Sequence, residues 1–162
     1  SGGKDLHGPQ GTGLVVGQRW IVEAMRNIGS PNAGFARAMK VSKENMVGLL
    51  PAVKHYIGLD HEAKRERDER VVEQWRADFG ALAGVRAERQ LPNEAAQPLP
   101  RLKLTIDPQR GISGDGLAQK LLEGEPSISV SATADGIYVN PWLLTEDEVA
   151  IVTAAIRRIL AE

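Results

Sequence analysis

The sequence contains no cysteine, has almost no excess charge of either sign and has no long hydrophobic run. Without cysteine, the chain cannot form disulfides, zinc–thiolate sites or a cysteine nucleophile. Its 20 basic and 21 acidic side chains give a net charge of -1, which argues against a general nucleic-acid binder. Because no apolar run approaches the roughly 18 residues of a membrane-spanning helix, we expect no membrane partner.

The first residues also lack an initiator Met and a basic stretch followed by an apolar one. We therefore expect no secretory signal, a cytoplasmic location, and a chain that is a fragment or a processed piece. The length of 162 residues allows one domain or two small ones. With 42% hydrophobic and 25% charged residues, the composition is that of a globular protein.

The first half of the chain predicts a glycine-rich loop over residues 1–14, followed by helices. A short helix is predicted over 17–28, and a second helix begins at Ser42 as its cap. Apolar residues recur in this second helix at helical spacing, and Pro51 predicts a kink or a local break there. The positions that define its spacing are Val47, Leu50, Val53, Lys54 and Ile57.

A third helix is predicted over residues 61–83, and its first half is almost entirely charged. Opposite charges four residues apart support the helix, each pair by about 0.2–0.5 kcal/mol. These pairs are Lys64 with Asp68, Arg65 with Glu69, and Glu66 with Arg70. Because the signs alternate, we interpret the charged run as a solvated helix face rather than a nucleic-acid or partner surface. An apolar stripe follows at Val72, Trp75, Phe79 and Leu82.

The last part of the chain changes to a mixed pattern of strands and helices after a proline-containing loop over 84–100. The spacing predicts a strand over 101–106, a helix opened by Ser113, a hairpin of strands 128–133 and 137–139, and a final helix. Thr145 and Glu148 form a capping box at the start of that helix. The fold class is therefore α/β, with an α+β unit in which helices cover a small antiparallel sheet.

Lys4 lies in a segment rich in glycine, which leaves space around its amine and lets a ligand approach the backbone. Such a lysine can form a Schiff base where its surroundings depress its pKa, and His7 is near enough in sequence to share the site. From the spacing alone, a flexible tail with a solvated lysine remains the alternative.

Residues 1–10, Ser-Gly-Gly-Lys-Asp-Leu-His-Gly-Pro-Gln, closely resemble the cofactor-lysine segment of one group of pyridoxal-phosphate enzymes. This selenocysteine-synthase-like group includes L-seryl-tRNA(Sec) selenium transferase and D-glucosaminate-6-phosphate ammonia-lyase. The resemblance spans nearly the whole chain, although its C-terminal matches are shared more widely among fold-type-I enzymes. It continues at Thr12-Gly13-Leu14, residues 37–41, 48–50 and 124–128, and Asn140-Pro141.

The resemblance implies a role for each matching residue. Lys4 would form the Schiff base with pyridoxal phosphate and later move the substrate's α-proton. Gly8, Pro9 and Gln10 would lie beside the cofactor near a subunit interface, which implies a homo-oligomer. Arg37 and Lys40 would face the anionic group of a small-molecule substrate.

Lys40 also bears on the reaction. Selenium transferases tend to carry arginine at both basic positions, so Arg-Ala-Met-Lys is more similar to the ammonia-lyase branch. The resemblance then implies α,β-elimination on a hydroxylated amino acid or a phosphorylated amino-sugar acid, giving a keto acid and ammonia. Selenium transfer to seryl-tRNA and a non-catalytic α+β interaction module remain the alternatives.

The match covers only the C-terminal part of such an enzyme. It implies that residues 1–60 are the remnant of the large cofactor-binding domain, 61–83 a connecting helix and 84–162 the small domain. In this group the cofactor's phosphate-binding loop and the aspartate facing its ring nitrogen lie upstream. We therefore expect the chain alone to bind pyridoxal phosphate weakly or not at all.

Other candidate sites have weaker signals. His55 and His61 do not share a helix face, so we expect no metal site. The glycines of residues 111–116 do not follow a strand as a phosphate loop would, and indicate a loop with a helix cap. Trp20, Trp75 and Trp142 are interpreted as core or interface anchors.

Overall fold

The computed structural model describes residues 1–93 and 96–161. The chain divides into two compact units, Ser1–Asp60 and His61–Glu162. Among the described residues, no helix combines the length and the hydropathy needed to cross a bilayer. The assignment of these parts to a large and a small domain stays a prediction.

The first unit contains helix α1 (Arg19–Ile28), a 3-10 turn (Arg37–Met39) and helix α2 (Lys43–Ile57). Ser42 caps α2 as predicted, because its hydroxyl accepts a hydrogen bond from the Asn45 N–H at 3.2 Å. Of the two predicted effects of Pro51, the local break does not occur, since α2 continues through it to Ile57, and the kink stays a prediction. Proline lacks the backbone N–H of one helical hydrogen bond, but the loss of one bond does not end a helix that continues on both sides of it.

The described residues of the second unit form three α-helices, a 3-10 turn (Pro108–Arg110) and a four-stranded antiparallel sheet in the order β1-β2-β4-β3. Its elements are α3 (His61–Gly80), β1 (Val85–Gln90), β2 (Arg101–Ile106), α4 (Gly114–Leu122), β3 (Ser131–Thr133), β4 (Gly136–Val139) and α5 (Glu146–Ala161). The register pairs Ala87 with Leu104 and Leu104 with Ile137. The α/β class and the small antiparallel sheet are confirmed.

Strand β1 lies inside the segment that the sequence predicts as a loop. Val85–Gln90 pairs with β2 at the edge of the sheet. The sequence gives little indication of this strand, because only Val85 and Ala87 are apolar. Both of these residues pack against the core. The exposed Arg86 and the partly buried Glu88 form an ion pair on this edge, where charges discourage pairing with other chains.

The hydrophobic core lies between the sheet and helices α3, α4 and α5. Trp75 and Phe79 of the predicted α3 stripe are fully buried, whereas Leu82 is partly buried after the helix has ended. The Trp75 indole Nε1 donates to Thr153 Oγ1 at 2.7 Å, which satisfies its polar group in the interior. Trp75 is therefore a core anchor, as expected.

The charged half of α3 is solvated on one side, as predicted, and packed on the other. The Lys64–Asp68 pair forms at 3.7 Å, but Arg65 pairs with Glu62, and Glu69 accepts from Arg89 of β1. The Asp68 side chain is only 1% exposed and also pairs with Arg67. The Arg67 guanidinium in turn donates to backbone carbonyls before α5, so the side of α3 that carries Arg67 and Asp68 packs against protein. The other side is exposed at Glu62, Arg65, Glu66 and Arg70.

The predicted caps of α4 and α5 form. Ser113 Oγ accepts from the Gly116 N–H at 3.1 Å. At α5, the Thr145 N–H donates to Glu148 at 2.7 Å and the Glu148 N–H donates to Thr145 Oγ1 at 3.3 Å. The inward positions of α5 are buried as predicted, at Val149, Val152, Ile156 and Ile159.

Candidate active site

The Lys4 segment is a closed loop stabilised by its own backbone. The Gly2 N–H donates to the Thr12 carbonyl at 2.9 Å, and the Gly8 N–H donates to the Gly2 carbonyl at 2.7 Å. The His7 N–H donates to the Lys4 carbonyl at 2.8 Å, and His7 adopts a φ of 52°. The Thr12 hydroxyl closes the far side by donating to the Pro9 carbonyl at 2.6 Å. The segment is therefore a folded loop, in contrast to the flexible-tail alternative.

Helix α2 supports this loop along one face. A Cβ on Gly8 would lie 3.3 Å from both the Ala52 Cβ and the Leu49 Cδ1. A Cβ on Gly48 would lie 2.6 Å from the Pro9 Cγ, closer than real Cβ contacts come. The α2 positions near the loop follow helical spacing and are Asn45, Gly48, Leu49 and Ala52. Small residues on both sides thus permit the loop backbone to approach the helix.

This contact face differs from the one that the hydrophobic spacing of α2 indicates. Val47, Leu50 and Ile57 are 72%, 59% and 73% exposed. The loop instead contacts the side of α2 that carries small and polar residues. The hydrophobic pattern could not predict this contact side of α2, because the glycine-rich loop packs there against small residues such as glycine and alanine.

Asp5 and Tyr56 form a polar link between the loop and the next turn of α2. Tyr56 and Asp5 are both partly buried. Burial raises the pKa of Tyr56 above its ordinary 10.0, and the Asp5 charge and hydrogen bond raise the pKa further. The phenol is therefore protonated at neutral pH. Sequence reasoning missed this pair.

The Lys4 side chain is exposed, and within residues 1–93 and 96–161 its ammonium has no hydrogen-bond or ion-pair partner. Gly8, Pro9 and Gln10 lie in the same loop, which brings these predicted site residues together with Lys4. Gln10 is exposed, and its backbone lies against Gly3. A free primary amine on a fixed backbone fits covalent attachment of an aldehyde such as pyridoxal phosphate.

Arg37 and Lys40 belong to the turn that leads into α2. The Arg37 Nη1 donates to the backbone carbonyls of Pro31 and Asn32, which shapes the turn. Lys40 follows this 3-10 turn as its exposed C-cap, two residues before Ser42. In the part of the chain that the structure describes, no hydrogen bond or ion pair joins either residue to the Lys4 loop. The structure thus places the basic pair beside the start of α2 without connecting it to Lys4.

The other candidates show no comparable arrangement. No group of three metal-ligating side chains occurs in the described residues. Trp142 lies under the Lys64 ammonium, 3.1 Å from its ring centre, whereas Trp20 is 66% exposed on α1. The 111–116 segment is a loop followed by the Ser113 cap, as predicted.

Comparison with known proteins gives two relatives from the predicted group. D-glucosaminate-6-phosphate ammonia lyase of Salmonella typhimurium is 26% identical over 98% of this chain and 42% of its own length. L-seryl-tRNA(Sec) selenium transferase of Maridesulfovibrio salexigens is 29% identical over 99% of this chain and 37% of its own length. The chain is a relative of the selenium transferase-like group.

A solved structure supports the relationship to this group. The structure of a D-glucosaminate-6-phosphate ammonia-lyase superposes with a TM-score of 0.57 and 27% identity. The match covers 80% of this chain and 35% of that one. A third relative, 5'-C-glycyluridine monooxygenase-decarboxylase of a Streptomyces species, is 33% identical over 79% of this chain and 31% of its own length. The chain thus spans between 31% and 42% of the curated relatives it matches. No family model matches it.

Proposed function

We propose that this chain supplies the cofactor lysine and the small domain of a pyridoxal-phosphate-dependent lyase. The reaction is α,β-elimination on a hydroxylated amino acid or a phosphorylated amino-sugar acid. Its relatives are enzymes, and the similarity to the ammonia lyase extends over 98% of the chain. The observation that carries the proposal is the exposed Lys4 amine on a loop whose backbone is fixed against α2.

Lys4 has two tasks in this proposal. When bound, pyridoxal phosphate supplies an electron sink for the carbanion left after α-proton removal. The Lys4 Nζ is the attachment point for the cofactor and afterwards the base that takes the substrate's proton. Both tasks require an amine that is not already engaged, which is the state of Lys4 in this structure.

Arg37 and Lys40 bind the anionic end of the substrate. The described hydrogen bonds of Arg37 use Nη1 alone, so Nε and Nη2 remain to hold a phosphate or carboxylate. Lys40 adds an exposed point charge. Because selenium transferases tend to carry arginine at both positions, the combination of Arg37 with Lys40 favours the ammonia-lyase reaction over selenium transfer.

Selenium transfer to seryl-tRNA is the second candidate, because a selenium transferase is 29% identical over nearly the whole chain. A tRNA substrate calls for a basic surface, and the balance of 20 basic and 21 acidic side chains offers little excess charge for it. Ammonia release from a small substrate, measured against selenium incorporation into seryl-tRNA, separates the two reactions.

Chemical trapping tests the cofactor assignment. Because we expect the chain alone to bind pyridoxal phosphate weakly or not at all, the test uses a protein that contains this chain together with an upstream cofactor-binding part. It is incubated with pyridoxal phosphate, reduced with borohydride and mapped by mass spectrometry. We expect a pyridoxyl adduct at Lys4 that is lost in Lys4→Ala and kept in Lys54→Ala, which removes another exposed lysine. Labelling spread over the exposed lysines, with no preference for Lys4, would contradict the proposal and favour a non-catalytic module.

The same protein tests the substrate class. Arg37→Gln is expected to raise KM for a phosphorylated substrate by roughly 10- to 100-fold, the value of one hydrogen bond to a charged group. Unphosphorylated hydroxy-amino acids should be less affected. Equal effects on both substrates would remove phosphate binding from the role of Arg37.

A further inference from the structure

We propose that Thr12 is the positioning residue of the Lys4 loop, because it bonds both ends of the turn that carries Lys4 and so fixes where the Lys4 amine reacts. Thr12 does not touch the amine and acts through the loop backbone. The inference rests on the proposed function of Lys4, and it gives a task to a residue for which the sequence motif implies no role.

Thr12 is joined to both ends of the Lys4 turn, which comprises residues 2–9. Its carbonyl accepts from the Gly2 N–H at 2.9 Å, where the chain enters the turn. Its hydroxyl donates to the Pro9 carbonyl at 2.6 Å, and its N–H donates to the same oxygen at 3.2 Å, where the chain leaves the turn. The hydrogen bonds of this one residue therefore close residues 2–9 into a ring.

The Thr12 side chain is buried, although most of the residues around it in the sequence are exposed. Thr12 is 8% exposed, and Gly2 is also buried. A Cβ on Gly2 would overlap the Thr12 Oγ1, so the hydroxyl lies directly against the Gly2 backbone. Loss of a hydrogen bond in such a place is costly, because water does not readily replace the missing donor. Removal of the hydroxyl would leave the Pro9 carbonyl with the longer bond from the Thr12 N–H.

The closure at Thr12 reaches Lys4 through two further backbone bonds inside the turn. The Gly8 N–H donates to the Gly2 carbonyl at 2.7 Å, and the His7 N–H donates to the Lys4 carbonyl at 2.8 Å. The Lys4 backbone is thus held within the ring that Thr12 closes, whereas its side chain is exposed. Reacting groups held in position combine faster than mobile ones. Loss of the Thr12 hydroxyl should therefore slow attachment of an aldehyde at Lys4.

Three variants separate the hydroxyl from the rest of the side chain. Thr12→Val keeps the branched shape and removes the donor, whereas Thr12→Ser keeps the donor and removes a methyl group. Thr105→Val is the matched control, because it makes the same chemical change on strand β2 of the second unit.

The first test measures attachment of pyridoxal phosphate at Lys4 in a protein that contains this chain together with an upstream cofactor-binding part. In this step the Lys4 Nζ adds to the aldehyde carbon, water leaves and a C=N bond forms, which borohydride reduces to the stable label. Varying the concentration of pyridoxal phosphate separates the maximal rate of labelling from the half-saturating concentration.

We expect Thr12→Val to lower the maximal rate roughly threefold to tenfold, the value of one hydrogen bond. The half-saturating concentration should stay unchanged, because Thr12 acts on the position of the amine and not on binding of the cofactor. Thr12→Ser and Thr105→Val should both keep the wild-type maximal rate.

A second measurement needs no cofactor and uses the chain itself. Hydrogen exchange of the Gly8 amide, which bonds to the Gly2 carbonyl at 2.7 Å, reports how often the Lys4 turn opens. We expect several-fold faster exchange in Thr12→Val than in the wild type, and wild-type exchange in Thr12→Ser and Thr105→Val.

Failure of this inference and failure of the proposed function give different results. If wild-type Lys4 acquires no selective label, the proposed function fails, and faster Gly8 exchange in Thr12→Val still supports Thr12 as the residue that closes the turn. If Lys4 is labelled selectively but Thr12→Val keeps the wild-type maximal rate, the positioning role is overturned. A rate in Thr12→Ser as low as in Thr12→Val would also overturn it, because the hydroxyl would not be the cause.

Discussion

Adding one methyl group at Gly8 tests whether contact with α2 positions the Lys4 loop. In Gly8→Ala the new Cβ would lie 2.9 Å from the Gly2 carbonyl oxygen and 3.3 Å from Ala52 and Leu49. The loop must therefore shift, and we expect several-fold slower adduct formation at Lys4. Gly13→Ala is the matched control, since its Cβ would meet nothing within 4 Å. Equal rates in the two variants would show that contact with α2 does not position Lys4.

A second prediction at the scale of a single residue concerns the pH at which the Tyr56 phenol ionises. The chain has two tyrosines, so Tyr138→Phe leaves the phenol of Tyr56 to be titrated alone by its phenolate absorbance. Burial and the Asp5 charge raise the pKa of Tyr56, so the midpoint of its ionisation should lie above the ordinary 10.0. A raised pKa means that the contribution to stability is present below pH 10 and is lost as the pH rises through the folded-state pKa.

Asp5→Asn in the same background should return the Tyr56 titration part of the way toward the ordinary value, because burial remains. A phenol that titrates at 10.0 in both proteins would contradict the described environment of Tyr56.

The sequence could predict Lys4 but not its support. Lys4 stands in a local motif, and every residue that defines the motif lies within a few positions of it. Tyr56 and Asp5 are far apart in sequence and belong to no shared pattern, so only the folded loop brings them together. Arg37 and Lys40 were also found by motif, and their role toward a substrate stays a prediction.

At the scale of elements, the capping box of α5 makes a measurable contribution. Thr145→Ala removes the hydroxyl that accepts from the Glu148 N–H, and we expect a loss of about 1 kcal/mol in unfolding free energy. Ser129→Ala removes an exposed hydroxyl outside any helix or strand and should cost much less. Urea unfolding of the three proteins makes the comparison, and equal midpoints would contradict the capping role.

The contribution of this capping box to stability depends on pH. The hydrogen bond from the Thr145 N–H lowers the pKa of Glu148 below its ordinary 4.5. Its stabilising contribution is therefore present above pH 4.5 and disappears as the pH falls through the lowered pKa. The stability difference between the wild type and Glu148→Gln should shrink in that range.

Elements with strong local signals were predicted from sequence, and elements defined by their neighbours were not. The strand over 101–106 and the caps at Ser42, Ser113 and Thr145 carry local patterns and are confirmed. Strand β1 was missed because four of its six residues are charged or polar and its place is set by pairing with β2. The side of α2 that contacts the Lys4 loop was not predicted, because the glycine-rich loop leaves no hydrophobic pattern in the sequence.

At the scale of the whole molecule, the core belongs to one of the two compact units. Among the described residues, the sixteen buried hydrophobic core residues lie between Val71 and Leu160, whereas many large hydrophobic side chains of residues 1–60 are exposed. Phe35 is 86% exposed and Trp20 66% exposed, so large apolar side chains of this unit contact solvent.

We therefore expect residues 61–162 to fold on their own. Circular dichroism should show one cooperative thermal transition for this segment and none for residues 1–60. The intact protein provides the reference transition. A 61–162 segment that melts gradually would show that its core depends on the first sixty residues.

The central claim is that Lys4 is the attachment point of a pyridoxal-phosphate enzyme, and trapping with borohydride tests it most directly. The measurement is the fraction of pyridoxyl label at Lys4 compared with the other lysines, in a protein that contains this chain together with an upstream cofactor-binding part and in its Lys4→Ala variant. The account predicts selective label at Lys4 in the wild type and its loss in the variant. Label distributed over exposed lysines in both proteins would contradict it.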